Sequence, residues 1–350
     1  MQPIDIRNHK IGAGQACFVI AEAGVNHNGD LSLAKKLVDV AVEAGADAVK
    51  FQTFDAKRLV SVSAQKAQYQ KQTTDTDESQ FEMLQRLQLS PQAHQELQAY
   101  CAQRGILFMS TPFDETSADF LAELGLDVYK TSSGDLTNLP LLAHIAHKAK
   151  PMIISTGMST LEEVDKAVRT VRDTGNEQLV LLHCVSNYPT NPADVNLRAM
   201  HTLAREFDAP VGFSDHTTGI DIAIASVALG AAILEKHFTL DRNMPGPDHQ
   251  ASLEPDELAE MIASIRRVEA ALGDGIKQPV VSELPVADVG RRSLHWSAAL
   301  PAETIIAREH LIALRPGTGI PPARITAFAG HRLRRAVQPG EMVLEDDVEL

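Results

Sequence analysis

Short apolar runs that end on polar residues recur through the first three quarters of the chain, each followed by a segment with helical spacing. Eight of them read as strands: FVIAEAG (18–24), AVKFQT (48–53), ILFMSTPF (106–113), DVYKTSS (127–133), PMIISTG (151–157), LVLLHC (179–184), PVGFSDH (210–216) and ILEKHF (233–238). Their length and their β-branched and aromatic content favour strands over buried helices. Behind them, LSLAKKLVDVAVEAG (31–45), TLEEVDKAVRTVRDTG (160–175) and EPDELAEMIASIRRVEAALG (254–273) read as amphipathic helices. STLEEV (159–164) supplies a Ser or Thr N-cap and acids in the first turn. Eight such units in about 250 residues predict an α/β chain folded as a (β/α)8 TIM barrel. A doubly wound sheet is the competing fold, and it seldom needs eight units.

Every strand turns polar near its C-terminal end: Glu22, Lys50 with Gln52, Ser110 with Thr111, Lys130 with Ser133, Ser155 with Thr156, His183, Asp215 with His216, and Glu235 with His237. In a barrel, that rim carries the active site. One buried Lys, Glu or His can be an ordinary satisfied core group. Eight strands behaving alike point to a polar mouth that takes a ligand.

The pattern changes after the barrel, which is read as residues 1–272. Residues 273–290, GDGIKQPVVSELPVADVG, hold two prolines and no sustained period, and read as a linker. Residues 291–350 show short strands and turns, a β-rich module of about 60 residues that is marginal on its own. It is expected to dock on something, a second subunit first of all. The stretch 54–89, rich in Gln, Thr and Asp, is the one long insertion and a candidate lid.

Composition narrows the function classes. With 44% hydrophobic but only 5% aromatic residues, the core rests on aliphatic side chains, which suits α/β layers. A formal charge of −14 leaves no basic field for nucleic acid, although a few pocket lysines can still dominate locally for a small anion. Cys17, Cys101 and Cys184 form no CxxC pair, so neither a disulfide framework nor a thiolate zinc site is expected. MQPIDIRNHK has no apolar signal core, and the longest apolar run, 222–234, is too short for a bilayer. The expectation is a cytoplasmic protein that makes no membrane contact.

Two groupings carry candidate chemistry. His216 and His237 close neighbouring strands, which lie about 4.8 Å apart in a sheet. Two imidazoles across that gap can hold one divalent ion with positions left for substrate and water; the plainer alternative is two unrelated rim residues. Two nitrogen ligands suit Mn²⁺ or Mg²⁺ with added oxygens better than a structural zinc. Lys50 and Lys130, with Ser133-Gly134 and Ser155-Thr156-Gly157, compose a phosphate site, the alternative being two lysines that bridge acids. His27 and His183 read as hydrogen-bonded loop or core histidines. GAGQAC (12–17) lacks the third glycine of a dinucleotide fingerprint and precedes its strand.

Taken in order, FVIAEAGVNHNGDLSLAKKLVDVAVEAGADAVKFQTF, STPFD, YKTSSGD, PMIISTGMS, LLHCVSNYPT, GFSDHT and LEKHFTLDRNMPGPDHQASLEP resemble the bacterial sialic acid synthase family, and RRSL…RPGTGI…AV…GE resembles its small antifreeze-like (SAF) domain. The resemblance covers essentially the whole chain. It implies condensation of phosphoenolpyruvate with an N-acetylated amino-sugar aldehyde to a nine-carbon ulosonic acid and phosphate. It implies that His216 and His237 hold a divalent metal, Mn²⁺ first, with Mg²⁺ or Co²⁺ as alternatives. It places the enolpyruvate on Lys50, Thr111, Lys130, Ser133, Ser155 and Asn187. It assigns the sugar to Gln52, Asp135, Tyr188 and Asp248, brings Arg315 from the small domain, and sets Glu22 at the reacting carbons. A homodimer with each SAF domain over the partner's barrel is the expected assembly.

Many family members carry Glu where Asp135 stands, so the shorter arm alters that sugar contact. N-acetylmannosamine is the first expectation for the sugar. The alternative is 2,4-diacetamido-2,4,6-trideoxymannose, giving legionaminic acid, because the insertion at 69–84 is similar to members acting on either. Two rivals lie further off. A Schiff-base sialic acid aldolase using Lys130 would need no metal and be trapped by borohydride, and a non-catalytic carbohydrate-binding protein would be silent with phosphoenolpyruvate.

Overall fold

The chain opens with an antiparallel hairpin that the hydrophobic pattern does not announce, β1 (Ile4–Ile6) and β2 (His9–Ile11), paired Ile4 to Ile11 and Ile6 to His9. Eight strands follow: β3 (Phe18–Gly24), β4 (Ala48–Thr53), β5 (Leu107–Pro112), β6 (Tyr129–Thr131), β7 (Met152–Ser155), β8 (Leu179–Cys184), β9 (Val211–Asp215) and β10 (Ile233–His237). They form one parallel sheet in the order β5-β4-β3-β10-β9-β8-β7-β6, and β5 and β6 pack side by side without a ladder. This is the expected (β/α)8 barrel. The computed structural model describes residues 3–66, 74 and 78–349. Residues 67–73 and 75–77 lie outside the described residues, and with them part of the candidate lid and half of the insertion at 69–84.

The helices that the described residues form around the barrel are α1 (Leu31–Ala44), α2 (Ala56–Leu59), α3 (Gln80–Leu87), α4 (Pro91–Arg104), α5 (Glu115–Glu123), α6 (Leu139–Ala146), α7 (Leu161–Asp173), α8 (Ala199–Phe207), α9 (Asp221–Ala228) and α10 (Pro255–Leu272). Local chemistry sets their ends. Asp30 caps α1 by accepting from the Ser32 and Leu33 amides, and Gly45 stops it in the left-handed region at φ 81°. Thr160 and Glu163 form a reciprocal capping box at the start of α7.

The period of two along each strand separates two cores. Outward residues such as Val19, Val49, Phe108, Ile154, Leu181 and Leu234 pack under the helices. Inward residues Phe18, Ile20, Ala48, Leu107, Met109, Val128, Ile153, Val180, Leu182 and Ile233 fill the lower barrel, where Ile4, Ile6 and Ile11 of the hairpin join them. The hairpin is therefore the floor of the barrel, and each of its buried isoleucines contributes about 1.5–3 kcal/mol. Gly212 is inward where a side chain would strike the Ile233 backbone and Leu182.

The chain divides into two compact units, Met1–Gly273 and Asp274–Leu350. The segment read as a linker belongs mostly to the second and carries a short helix, α11 (Leu284–Gly290). Pro285 in the first turn starts a helix rather than breaking one. The second unit pairs β11 (Ser293–Trp296) with β12 (Leu311–Leu314) and β13 (Arg332–Leu333) with β14 (Val348–Glu349), all antiparallel. Its core gathers Leu294, Trp296, Ile306, Phe328 and Val343, and Trp296 Nε1 donates to Asp347. Among the described residues, no helix is long and apolar enough to cross a membrane.

Candidate active site

The same alternation that sends the lower residues into the barrel core sends Glu22, Lys50, Gln52, Thr111, Lys130, Ser155, Ser214, His216, Glu235 and His237 into its upper mouth, where they line a cavity of about 350 Å³. Where two adjacent polar residues close a strand, only one of them faces this mouth, and His183 on β8 faces away as well. Ser110 bonds Thr53 at 2.7 Å on the helix side, Thr156 donates to Leu182 O, His183 Nε2–H donates to Val195 O at 2.6 Å, and Asp215 pairs with Lys236. Adjacent residues on a strand point to opposite faces, so only one of each pair can serve the site.

Four charges share the centre. Lys50 Nζ lies 2.7 Å from Glu22 and 3.6 Å from Glu235, and donates to Thr111 Oγ1 at 3.0 Å. Lys130 Nζ lies 3.3 Å from Glu235, which also accepts from Ser214 Oγ at 2.9 Å. All four side chains are buried. Burial pushes Glu235 up, but the ammonium groups of Lys130 and Lys50 outweigh it and hold the carboxylate down at about 2. Burial pushes the Glu22 carboxyl up to about 7 against the pull of Lys50. Burial lowers both lysines, yet Glu22 and Glu235 reverse the sign for Lys50, while Lys130 stays below its ordinary value. Two lysines around the Glu235 carboxylate give the cluster a place for an anion. Glu235, left out of the expected site residues, is its hub; its alternation with His237 in ILEKHF was the available signal.

The two histidines meet. The β9–β10 ladder, Glu235 with Ser214 and Lys236 with Asp215, sets their rings with centroids 5.5 Å apart. His216 Nδ1–H donates to Val185 O at 2.7 Å, which leaves Nε2 as a lone-pair donor. His237 Nδ1 is buried without a hydrogen-bond partner. Burial lowers the pKa of both rings, and each is pushed toward the neutral form a metal needs. Among the described residues, no group of three or more His, Cys, Asp or Glu is arranged around a metal. Two free imidazole nitrogens fit a weakly held oxygen-loving ion and do not fit a closed zinc site.

Ser155 Oγ is likewise buried without a partner, and Ser133 Oγ accepts from the Gly157 amide at 3.0 Å and sits 3.0 Å from Cys184 Sγ. Gly157 permits this convergence, because a Cβ there would lie 2.8 Å from Ser133 Oγ and 2.7 Å from Cys184 Sγ. Gly24 plays the same part beside the acid: a Cβ would lie 3.4 Å from Glu22 and His237 and 3.5 Å from Gln52. Tyr188 packs its ring 4.1 Å from His216 and 5.8 Å from His237. Asp248 lines the cavity, buried, with its carboxyl raised to about 6 by burial alone.

Two expected residues stand outside the cavity lining: Asn187 is exposed, and Asp135 accepts from Ser132 Oγ at 2.7 Å. Arg315 belongs to the second unit, exposed on the loop after β12. His27 accepts from the Gly29 amide and packs on Phe51, a structural histidine.

A (β/α)8 barrel with buried lysines and a histidine pair at its C-terminal mouth defines an enzyme for a small anionic substrate. Comparison with known proteins gives it a family. The NeuB family profile matches residues 37–277, and the SAF domain profile matches 291–349. The chain is 50% identical over 342 residues to the N,N'-diacetyllegionaminic acid synthase of Legionella pneumophila, covering 97% of this chain and 96% of that protein. It is 47% identical over 330 residues to the N,N'-diacetyllegionaminic acid synthase of Campylobacter jejuni, covering 94% and 99%. The crystal structure of the N-acetylneuraminic acid synthetase of Leptospira borgpetersenii in complex with citrate matches with a TM-score of 0.74 and 35% identity, over 81% of this chain and 95% of that one. The chain belongs to the NeuB family, the sialic acid synthases, and is a condensing enzyme of that kind with an SAF domain.

Proposed function

We propose that this enzyme condenses phosphoenolpyruvate with the open-chain aldehyde of 2,4-diacetamido-2,4,6-trideoxymannose and water, releasing N,N'-diacetyllegionaminic acid and phosphate. One observation carries the reaction: two buried lysines bracket the Glu235 carboxylate in the same cavity as two buried histidines. The sugar follows from the names of the relatives, which favour the diacetamido reading over N-acetylmannosamine.

In this reading Lys50 and Thr111 receive the carboxylate end of phosphoenolpyruvate, and Lys130 with Ser133 and Ser155 receives its phosphate. Ser155 Oγ, buried without a partner, gains one from the anion. C3 of the enolpyruvate attacks the aldehyde carbon, forming the C–C bond and leaving positive charge at C2. Glu22, as carboxylate, stabilises that charge and takes the proton of the water that adds there. Phosphate then leaves with its bridging oxygen, held by Lys130, as the added hydroxyl loses its proton and becomes the C2 carbonyl. His216 and His237 would hold the divalent ion, Mn²⁺ in the first place, whose chemistry is to polarise the aldehyde oxygen. Asp248, Gln52 and Tyr188 orient the sugar. The homodimer, with Arg315 of one chain serving the other's sugar site, belongs to the same proposal. Mixing Arg315→Ala with His237→Ala subunits tests it, since mixed dimers would regain one intact site.

Phosphate release with 2,4-diacetamido-2,4,6-trideoxymannose, N-acetylmannosamine and N-acetylmannosamine 6-phosphate tests the substrate. The first should exceed the others in kcat/KM by at least about tenfold. Preference for N-acetylmannosamine would return the assignment to the simpler sialic acid.

A further inference from the structure

The cavity wall is divided by barrel order. Above β6 to β9, hydroxyls and a thiol dominate it, Ser132, Ser133, Ser155, Cys184, Ser186 and Ser214, with Met158 the one aliphatic side chain there. Above β3, β4 and β5 the polar ring of Glu22, Lys50, Gln52 and Thr111 gives way to an apolar surface, with Val25 after β3, Met83, Leu84 and Leu87 on α3 after β4, and Phe113 after β5. Met83 and Leu87 are 1% exposed and pack with Val25 and Phe54, so they are the backing of this wall. Leu84 and Phe113 are only half-buried and present its open face.

The wall is also fixed in place. Gly29, with φ 77°, lies directly against the carbonyl oxygen of Arg86, where any Cβ would collide. Ser79 and Glu82 cap the start of α3 reciprocally, and Arg86 pairs with Glu78 at 3.1 Å. A short helix held at both ends is a preorganised surface, which lowers the cost of binding against it.

We infer that α3, through Leu84 together with Phe113, is the specificity wall for the methyl-bearing C4–C6 end of the sugar aldehyde. This rests on the substrate proposed above. The phosphate of phosphoenolpyruvate belongs on the hydroxyl side with Lys130, and α3 with Phe113 is the apolar surface left for the sugar tail. Relative to N-acetylmannosamine, the diacetamido sugar replaces a hydroxyl at C4 by an acetamido group and the C6 hydroxymethyl by methyl. The wall accepts both methyls, and it leaves a C6 hydroxyl without a partner.

The test is the ratio of kcat/KM for 2,4-diacetamido-2,4,6-trideoxymannose to that for N-acetylmannosamine, with the KM for phosphoenolpyruvate measured alongside. Leu84→Asn should lower the ratio at least about tenfold, the scale on which an apolar pocket discriminates a single methyl group. Leu84→Met should keep it within about threefold, while the KM for phosphoenolpyruvate stays put in both. If Leu84→Asn does not fold, Leu84→Ala serves, and it should lower the ratio in the same direction. An unchanged ratio, with wild type still preferring the diacetamido sugar, overturns the wall and leaves the substrate standing. A wild type that prefers N-acetylmannosamine overturns the substrate reading itself, and the wall with it.

Discussion

Lys236 Nζ donates to Asp215 Oδ2 at 2.7 Å, with both side chains buried on the outer face of the β9–β10 ladder. The same ammonium donates to Thr217 O at 2.6 Å, and Asp215 Oδ1 accepts from the Thr217 amide at 2.9 Å. The pair therefore grips the backbone next to His216 from outside the barrel, while the imidazole points in. Its position on the sheet makes it a support for the histidine pair rather than a member of the cavity.

Breaking this pair from one side should be expensive. Lys236→Met leaves Asp215 buried without its cation, and removing one partner of such a pair costs about 3–5 kcal/mol. Urea unfolding should show that loss, and the double variant Asp215→Asn/Lys236→Met should regain much of it. A single variant within about 0.5 kcal/mol of wild type would mean that water reaches Asp215.

Lys50 and Lys130 are expected to hold the phosphoenolpyruvate anion. Replacing either by Met removes a charge-assisted interaction of about 1.5–3 kcal/mol, so kcat/KM for phosphoenolpyruvate should fall at least about tenfold. Lys50→Met should be the more damaging, because Lys50 reaches both Glu22 and Glu235, whereas Lys130, among the described residues, reaches Glu235 alone within ion-pair distance. Near-normal values in both variants would move the anion site elsewhere.

The barrel was legible in the sequence because eight apolar runs of strand length, each with a helix behind it, leave few other folds. The site was legible only to the strand end, not to the face. Ser110, His183 and Asp215 sit one position from Thr111, Cys184 and His216, and hydropathy alone cannot say which of two adjacent polar residues points inward. The lower barrel could: Val180 and Leu182 face in, which fixes Cys184 as inward and His183 as outward. Glu235 was visible in the same way beside His237. The floor hairpin was hidden because three-residue strands are too short for a period, and Arg7 makes its turn at φ 54° without the glycine that usually marks one. Asp135 shows a different limit: a motif gives position but not the partner, and its carboxylate accepts from Ser132.

Asp248 should make the folded protein sensitive to pH. Its carboxyl is buried and raised from 3.8 to about 6 by desolvation alone. The native state therefore favours the protonated form. The stability this group contributes is complete below pH 3.8 and is lost as pH rises through 6. Asp248→Asn should raise Tm at pH 8 and lose that advantage as the pH falls below 5, while KM for the sugar rises at pH 8. Equal Tm differences at both pH values would show that Asp248 is hydrated.

The histidine pair should bind one exchangeable divalent ion. Equilibrium dialysis with Mn²⁺ should find one site per chain, weakened at least about tenfold by His216→Ala or His237→Ala. Exhaustive chelation should abolish phosphate release and added Mn²⁺ should restore it. Circular dichroism should match wild type, which separates loss of the metal from loss of the fold. Full activity after chelation would remove the metal from the reaction.

Glu22 is expected to act on the chemical step more than on binding. Positive charge at C2 develops only along the reaction path, so a carboxylate aimed there stabilises the transition state over the ground state. Glu22→Gln keeps the shape and deletes the charge. It also leaves Lys50 with Thr111 at 3.0 Å and Glu235 at 3.6 Å, so the lysine stays paired. The variant should lose at least about a hundredfold in kcat, with unfolding midpoint and Mn²⁺ affinity close to wild type. The pH profile gives a second reading. Burial raises Glu22 to about 7, so wild-type kcat/KM for the sugar should climb from pH 6 to pH 8 as the carboxylate forms. The residual activity of Glu22→Gln should lack that limb. A variant that changes only the KM for the sugar, and keeps the limb, would make Glu22 a positioning residue and assign the proton to another group.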